Sequence, residues 1–150
     1  MASEIGVQKL MHTNATQAAT INSSGQLIID DGLQKSEGGA VNTSIQQGLA
    51  KSWVNFNASS TIVARDSFNS SSLTDHSTGR HSNNYTNNME NVNYNHASCG
   101  GNTHSNLIAV MQHVGTNAPT TSSARYHVTY VNSNNYDAQF VGVNIFGDLA

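Results

Sequence analysis

The sequence predicts an all-β protein: an antiparallel β-sandwich or jelly-roll-like domain over residues 47–150, preceded by an extended N-terminal arm with short strands over residues 1–46. Three observations carry that prediction. From Lys51 onward, apolar and polar residues alternate in runs of strand length, rich in Val, Ile, Thr, Tyr and Phe. Clusters of turn formers such as His76-Ser-Thr-Gly79 and Asn132-Ser-Asn-Asn135 punctuate those runs. Neither a sustained helical periodicity nor a βαβ alternation is present.

The arm comes first. Ile5 to Leu10 alternates as a short strand, Ala18-Ala-Thr-Ile21 is a second, and Gln26-Leu-Ile-Ile29 a third. Asn22-Ser-Ser-Gly25 turns the chain between the last two. Strands this short bury too little to stand alone, so the region needs a partner surface. Gln34 to Thr43, with Gly38-Gly39, reads as a flexible linker, and Asn42 to Lys51 as either a short helix or the lead-in to a strand.

The domain opens at Gly48-Leu-Ala-Lys-Ser-Trp-Val-Asn-Phe-Asn57, which holds the single Trp of the chain, Trp53, expected as its first core side chain. Thr61–Arg65 is the next strand, followed by a polar run in which Phe68 and Leu73 are apolar anchors. Arg80 to Thr86 should be a partner strand with Tyr85 and His81 inward, and Ser98 to Asn102 a loop. Leu107-Ile-Ala-Val-Met111 reads as a strand buried on both faces, and Gly115 to Ser123 as a long loop. Arg125–Val131 alternates, with Tyr126, Val128 and Tyr130 on one face. The last strand, Ala138–Phe146, puts Val141, Val143 and Ile145 on one face and Phe140 and Phe146 on the other. The predicted core and structural side chains are Trp53, Phe56, Phe68, Tyr126, Tyr130 and Phe146.

Composition narrows the function. At 150 residues and 16.0 kDa the chain is one domain with an appendage. Charged residues make up only 10%, against about 25% in ordinary soluble domains. Solubility therefore rests on Asn, Ser, Thr and Gly, a surface suited to a protein that packs against copies of itself. A net charge of -3, with the six Lys and Arg scattered, argues against nucleic acid as a partner. No apolar run approaches the ~20 residues of a membrane-spanning helix, so no membrane association is expected. The N-terminal Met-Ala-Ser-Glu lacks a basic region and an apolar core, so the expectation is synthesis in a cytoplasm without export.

Chemistry is sparse. Gly-x-Ser-x-Gly is absent, and the acids Asp66, Asp75, Glu90, Asp137 and Asp148 mostly sit beside turns, as caps and turn formers do. The seven histidines include no His-x-His or His-x-x-x-His pair, although an axial metal on a symmetric trimer would need only one His per chain. One cysteine, Cys99, excludes an internal disulfide and reads as structural. The expectation is a non-catalytic protein with no cofactor.

Three segments carry a family resemblance: Gly48 to Asn57; Asp66-Ser-Phe-Asn-Ser-Ser-Ser-Leu-Thr-Asp75 with Thr78-Gly79; and Tyr136-Asp-Ala-Gln-Phe-Val-Gly-Val-Asn-Ile-Phe-Gly-Asp148. In this order they resemble the recurrent β-domain of tail-fibre-like structural proteins of marine tailed phages, those infecting cyanobacteria and related bacteria. The N-terminal Ile5-Gly-Val-Gln-Lys-Leu10 and Ala19-Thr-Ile-Asn-Ser-Ser-Gly25 are similar to the start of many such virion proteins. Arg80-His-Ser-Asn-Asn84 departs from the family, which has alternating apolar residues there. The resemblance implies a virion structural protein and a homotrimer. Residues 1–40 would anchor it to other virion proteins, and the β-domain would present loops to a host-surface glycan or protein. The alternatives are a capsid (head) decoration protein and a carbohydrate-binding module.

Overall fold

The structure, a computed structural model, describes residues 9–11, 17–29, 33–35, 42–44, 48–101, 108–112, 115–130 and 134–150. It divides into two compact units, Met1–Gly48 and Leu49–Ala150. The expected strand residues 5–8, the Gly38-Gly39 stretch and residues 45–47 lie outside the described residues.

In the first unit, β1 (Lys9–Met11), β2 (Gln17–Ile21) and β3 (Leu27–Ile29) form an antiparallel sheet in that order, and β4 (Leu33–Lys35) pairs with β5 (Asn42–Ser44). The second pairing puts the two ends of the expected linker in paired strands, with Gln34 opposite Thr43 and Lys35 opposite Asn42. The β2–β3 turn is local chemistry. Asn22 accepts the amides of Ser24 and Gln26 on its side-chain oxygen, and Gly25 supplies the positive φ of 77° that a side chain resists. Ile21, Leu27, Ile28 and Ile29 are all exposed, Leu27 to 61%.

The second unit is an antiparallel sandwich of eight strands: β6 (Ser52–Asn57), β7 (Val63–Phe68), β8 (Ser72–Ser77), β9 (Arg80–Asn84), β10 (Asn95–Gly101), β11 (Ile108–Gln112), β12 (Ser123–Tyr130) and β13 (Phe140–Phe146). One sheet runs β10-β13-β6-β7 and the other β11-β12-β9-β8. Three hairpins (β6–β7, β8–β9 and β11–β12) each stay within a sheet, so the sandwich is built from hairpins. The first and last strands of the unit, β6 and β13, pair side by side in the middle of their sheet. At one edge β10 and β11 cross between sheets, where the Ser98 hydroxyl donates to the Val110 carbonyl at 2.7 Å.

The inward residues follow the two-residue strand period. Val54 and Phe56 from β6 and Val141, Val143 and Ile145 from β13 meet Ala124, Tyr126 and Val128 from β12, all at or near zero exposure. Tyr85, Met89 and Tyr94 fill one end, where the Tyr94 hydroxyl donates to the carbonyls of Thr120 and Ser123. Phe56 and Tyr126 are thus core, as expected. The other four are not fully buried. Neighbours on a strand face opposite ways, so with Val54 and Phe56 inward Trp53 points outward and is half-buried. Phe68 lies opposite Trp53 in the register and is 50% exposed. Phe146 follows inward Ile145 and therefore faces out, half-buried. Tyr130 keeps the inward parity but lies at the end of its strand, half-buried and stacked on Tyr136 with ring centroids 4.3 Å apart.

Two further expectations are corrected. Ser98 to Gly101 belongs to β10 rather than a loop, with Cys99 exposed opposite Gly142. β11 is an edge strand among the described residues, and its Ala109 and Val110 are only half-buried.

Asn69 ties the β7–β8 connection to the rest. Its φ of 51° is one that Asn tolerates better than most residues. Its side-chain amide donates to the carbonyls of Lys51 and Asn87 at 2.9 and 3.0 Å, and its oxygen accepts the Asn87 amide at 2.6 Å.

Candidate functional site

The outer faces of the two sheets differ in chemistry. On the β10-β13-β6-β7 sheet, Ala97, Asn144, Trp53 and Phe68 form one cross-strand row. Phe146 flanks it on one side, and Phe140 (42% exposed) and Val63 (57% exposed) lie on the other. Arg65 is the basic group there. Its guanidinium sits 5.6 Å from the centre of the Phe140 ring and donates to the Gln139 carbonyl at 2.6 Å. This face is aromatic and sparsely charged.

The outer face of the other sheet is made of hydroxyls, amides and basic groups. Strand parity puts Ser82 of β9 opposite Arg125 of β12 and Thr74 of β8, with Ala124 and Tyr126 turned inward. Between this row and the short 3-10 turn at Gly115–Asn117 lies an open cleft of about 220 Å³, lined by His76, Ser82, Thr116, Asn117, Thr120 and Arg125 among others. The Arg125 guanidinium donates through Nη1 to the Asn117 side-chain oxygen at 2.6 Å. Its Nε is buried without a partner, and no carboxylate pairs with it among the described residues. The His76 Nε2 lies 2.8 Å from the Ser82 hydroxyl. Partial desolvation first, and Arg125 second, hold the His76 pKa below the usual histidine value, with Asp75 opposing them in part.

The His76–Ser82 distance is that of a base and a nucleophile, but no carboxylate reaches the other ring nitrogen of His76 among the described residues. Ser82 is itself buried at 7% exposure, and the contact joins the irregular end of β8 to β9. The arrangement can bind and orient; among the described residues it has no third partner of a triad.

His81, one residue before Ser82, faces the opposite way. It is fully buried, edge-on to Phe56 at 5.7 Å, with Asp75 3.6 Å from Nδ1 and Asp137 3.4 Å from Nε2. Both separations exceed a good hydrogen bond, and the near Asp137 oxygen already accepts the Gly79 amide at 2.6 Å. Burial therefore dominates, and the His81 pKa is lowered despite the two acids. Among the described residues no three His, Cys, Asp or Glu side chains come together to hold a metal ion, and no helix of the described residues is long and apolar enough to cross a membrane.

Sequence reasoning named His76, His81 and Arg125 as residues but not the cleft. Parity alone would have put Arg125 outward between Ala124 and Tyr126. Its meeting with His76 depends on the β8–β9–β12 register, which is non-local. Comparison with known proteins finds no matching family model, no match among curated proteins and none among solved structures.

Proposed function

We propose that the chain is a structural protein of a tailed-phage particle, a tail-fibre-like surface component whose residues 1–40 dock on other virion proteins and whose β-domain serves host attachment. The role is adhesive rather than catalytic. The observation that supports it best is the asymmetry of the sandwich, one outer face aromatic and the other hydroxyl-rich and basic. Exposed aromatic rows of this kind mark association surfaces. In this reading, three copies of the chain turn the Trp53–Phe68 face toward one another, leaving the Arg125 face outward. The neighbouring opposite charges of Arg65 and Asp66 on that first face suit contact between identical copies. The short β1–β3 sheet, with its exposed Ile28 and Ile29, suits docking on a larger surface.

Three measurements test the proposal. Sedimentation of the full chain should give a trimer that the double variant Trp53→Ser, Phe68→Ser reduces to monomer; an unchanged oligomer in that variant rules out this face. Deleting residues 1–40 should leave a folded domain that no longer joins particles, and electron microscopy of labelled particles should place the intact protein on the tail. Label on the head would favour the decoration reading, and normal incorporation of the truncated chain would remove the anchor.

A further inference from the structure

We infer that the cleft between β12, β9 and the Gly115–Asn117 turn is a binding site for an acidic saccharide unit, with the sugar carboxylate held by Arg125 and its hydroxyls by Asn117, Thr120 and His76. The inference rests on the attachment reading only for the source of the saccharide; the site itself stands on its own geometry.

The charge comes first. Arg125 is half-buried in a chain of net charge -3, yet among the described residues its sole side-chain partner is the neutral Asn117 oxygen at 2.6 Å. A guanidinium has five donors, and the fork it presents matches a carboxylate. A permanently charged group withdrawn from water without an anion is poorly compensated, and a bound carboxylate supplies the missing partner. Arg80 on the same sheet lies further along, opposite His127, and does not line the cleft.

The remaining walls choose the ligand class. Thr116, Asn117, Thr120 and Ser82 offer hydroxyl and amide groups at several points around the guanidinium, an array that a bare inorganic anion would leave unused. Asn117 is oriented on both sides, its oxygen by Arg125 and its Nδ2 by the Thr116 hydroxyl at 3.3 Å. The volume of about 220 Å³ is below the roughly 300–1,000 Å³ of sites that enclose a drug-sized ligand, so the cleft takes one sugar unit at a time. An open site of that size binds weakly alone and gains strength from repetition, which several copies on one particle provide.

The test titrates the full chain with sodium glucuronate, glucose, acetate and sulfate at constant ionic strength, following backbone amide and histidine ring signals by NMR. Saturable shifts at Asn117, Thr120 and Arg125 are expected with glucuronate, with at least about tenfold weaker binding of acetate and of glucose, since each offers only half of the contacts. Arg125→Gln should weaken glucuronate at least about tenfold, whereas Lys51→Gln, which changes the net charge equally, should leave it unaltered. The His76 ring, which faces Ser82 and Arg125 with Asp75 and His81 nearby, should titrate at higher pH when glucuronate is bound, because the added anion offsets Arg125. Equal binding of acetate or sulfate would make the site a simple anion trap and overturn the saccharide assignment. Equal binding of glucose, or retention in Arg125→Gln, would overturn the role of Arg125, and absence of saturation would overturn the site. None of these outcomes depends on particle assembly, so failure here is distinct from failure of the trimer or the anchor.

Discussion

His81 makes the stability of the β-domain dependent on pH, with a sign that can be worked from its surroundings. The ring is fully buried against Phe56, and its pKa is lowered by desolvation, which outweighs the through-space pull of Asp137 and Asp75. In the unfolded chain the same ring has an ordinary pKa of about 6.5. Above that pH both states hold the ring neutral and its full contribution is present. As pH falls below about 6.5 the unfolded state takes up a proton that the folded state refuses, and stability drops. Between pH 6.5 and 5.5 one such group removes at most about 1 kcal/mol, and the limiting slope is about 1.4 kcal/mol per pH unit. Urea denaturation of the wild type and of His81→Gln at half-unit steps from pH 7.5 to 5 isolates the term, because Asp75, Asp137 and His76 remain in both proteins. The expected result is a stability difference between the two proteins that shrinks on acidification, by at most about 1 kcal/mol between pH 6.5 and 5.5 and at most about 2 kcal/mol over the whole range. A difference that grows on acidification would mean that His81 is charged in the fold and held by its two aspartates, and the burial argument would then be wrong.

Phe56→Ala should destabilise the domain by about 3–5 kcal/mol in chemical denaturation, while Trp53→Ala, on the outer face, should cost about 1 kcal/mol. Gly79→Ala should cost at least about 2 kcal/mol, because Gly79 has a φ of 67° and a Cβ there would lie 2.8 Å from the Tyr136 amide and press on the Val128 carbonyl. Thermal unfolding reads it directly, and a shift of under a degree or two would contradict the crowding. Asn69→Ala should lose about 2 kcal/mol with the three bonds that hold Lys51 and Asn87. Faster amide hydrogen exchange at Asn87 in that variant should confirm that the bonds carry the effect.

What could be read before folding divides by range. The all-β class, the inward set Val141, Val143 and Ile145, and the Gly25 and Gly79 turns follow from neighbours in sequence, and the structure has all of them. The Trp53 expectation fails for a reason present in the sequence: Trp53 cannot share a strand face with Val54 and Phe56, and those two take the inward one. Phe146 falls outside the core because it alternates with inward Ile145, and Phe68 because its register partner is the outward Trp53. β10 is not legible because Ser98-Cys-Gly-Gly101 has loop composition; its pairing with β13 makes it a strand. The cleft was beyond sequence reasoning, since it needs the register of three strands and a turn that covers them.

The central pairing of β6 with β13 also sets when the domain can form. Ser52 opens the first strand of the sandwich, and Ile145, opposite it, lies in the last. Until β13 is in place, β6 lacks its inner neighbour, and β10 has no strand beside it in this sheet among the described residues. The hairpins β8–β9 and β11–β12 can close earlier, each over a short loop. Completion then waits on one long-range event, which places this chain among the slower folders of its size. A synthesis product that stops short of β13 would lack a central strand of its sheet and, with it, the Val141, Val143 and Ile145 side chains of the core.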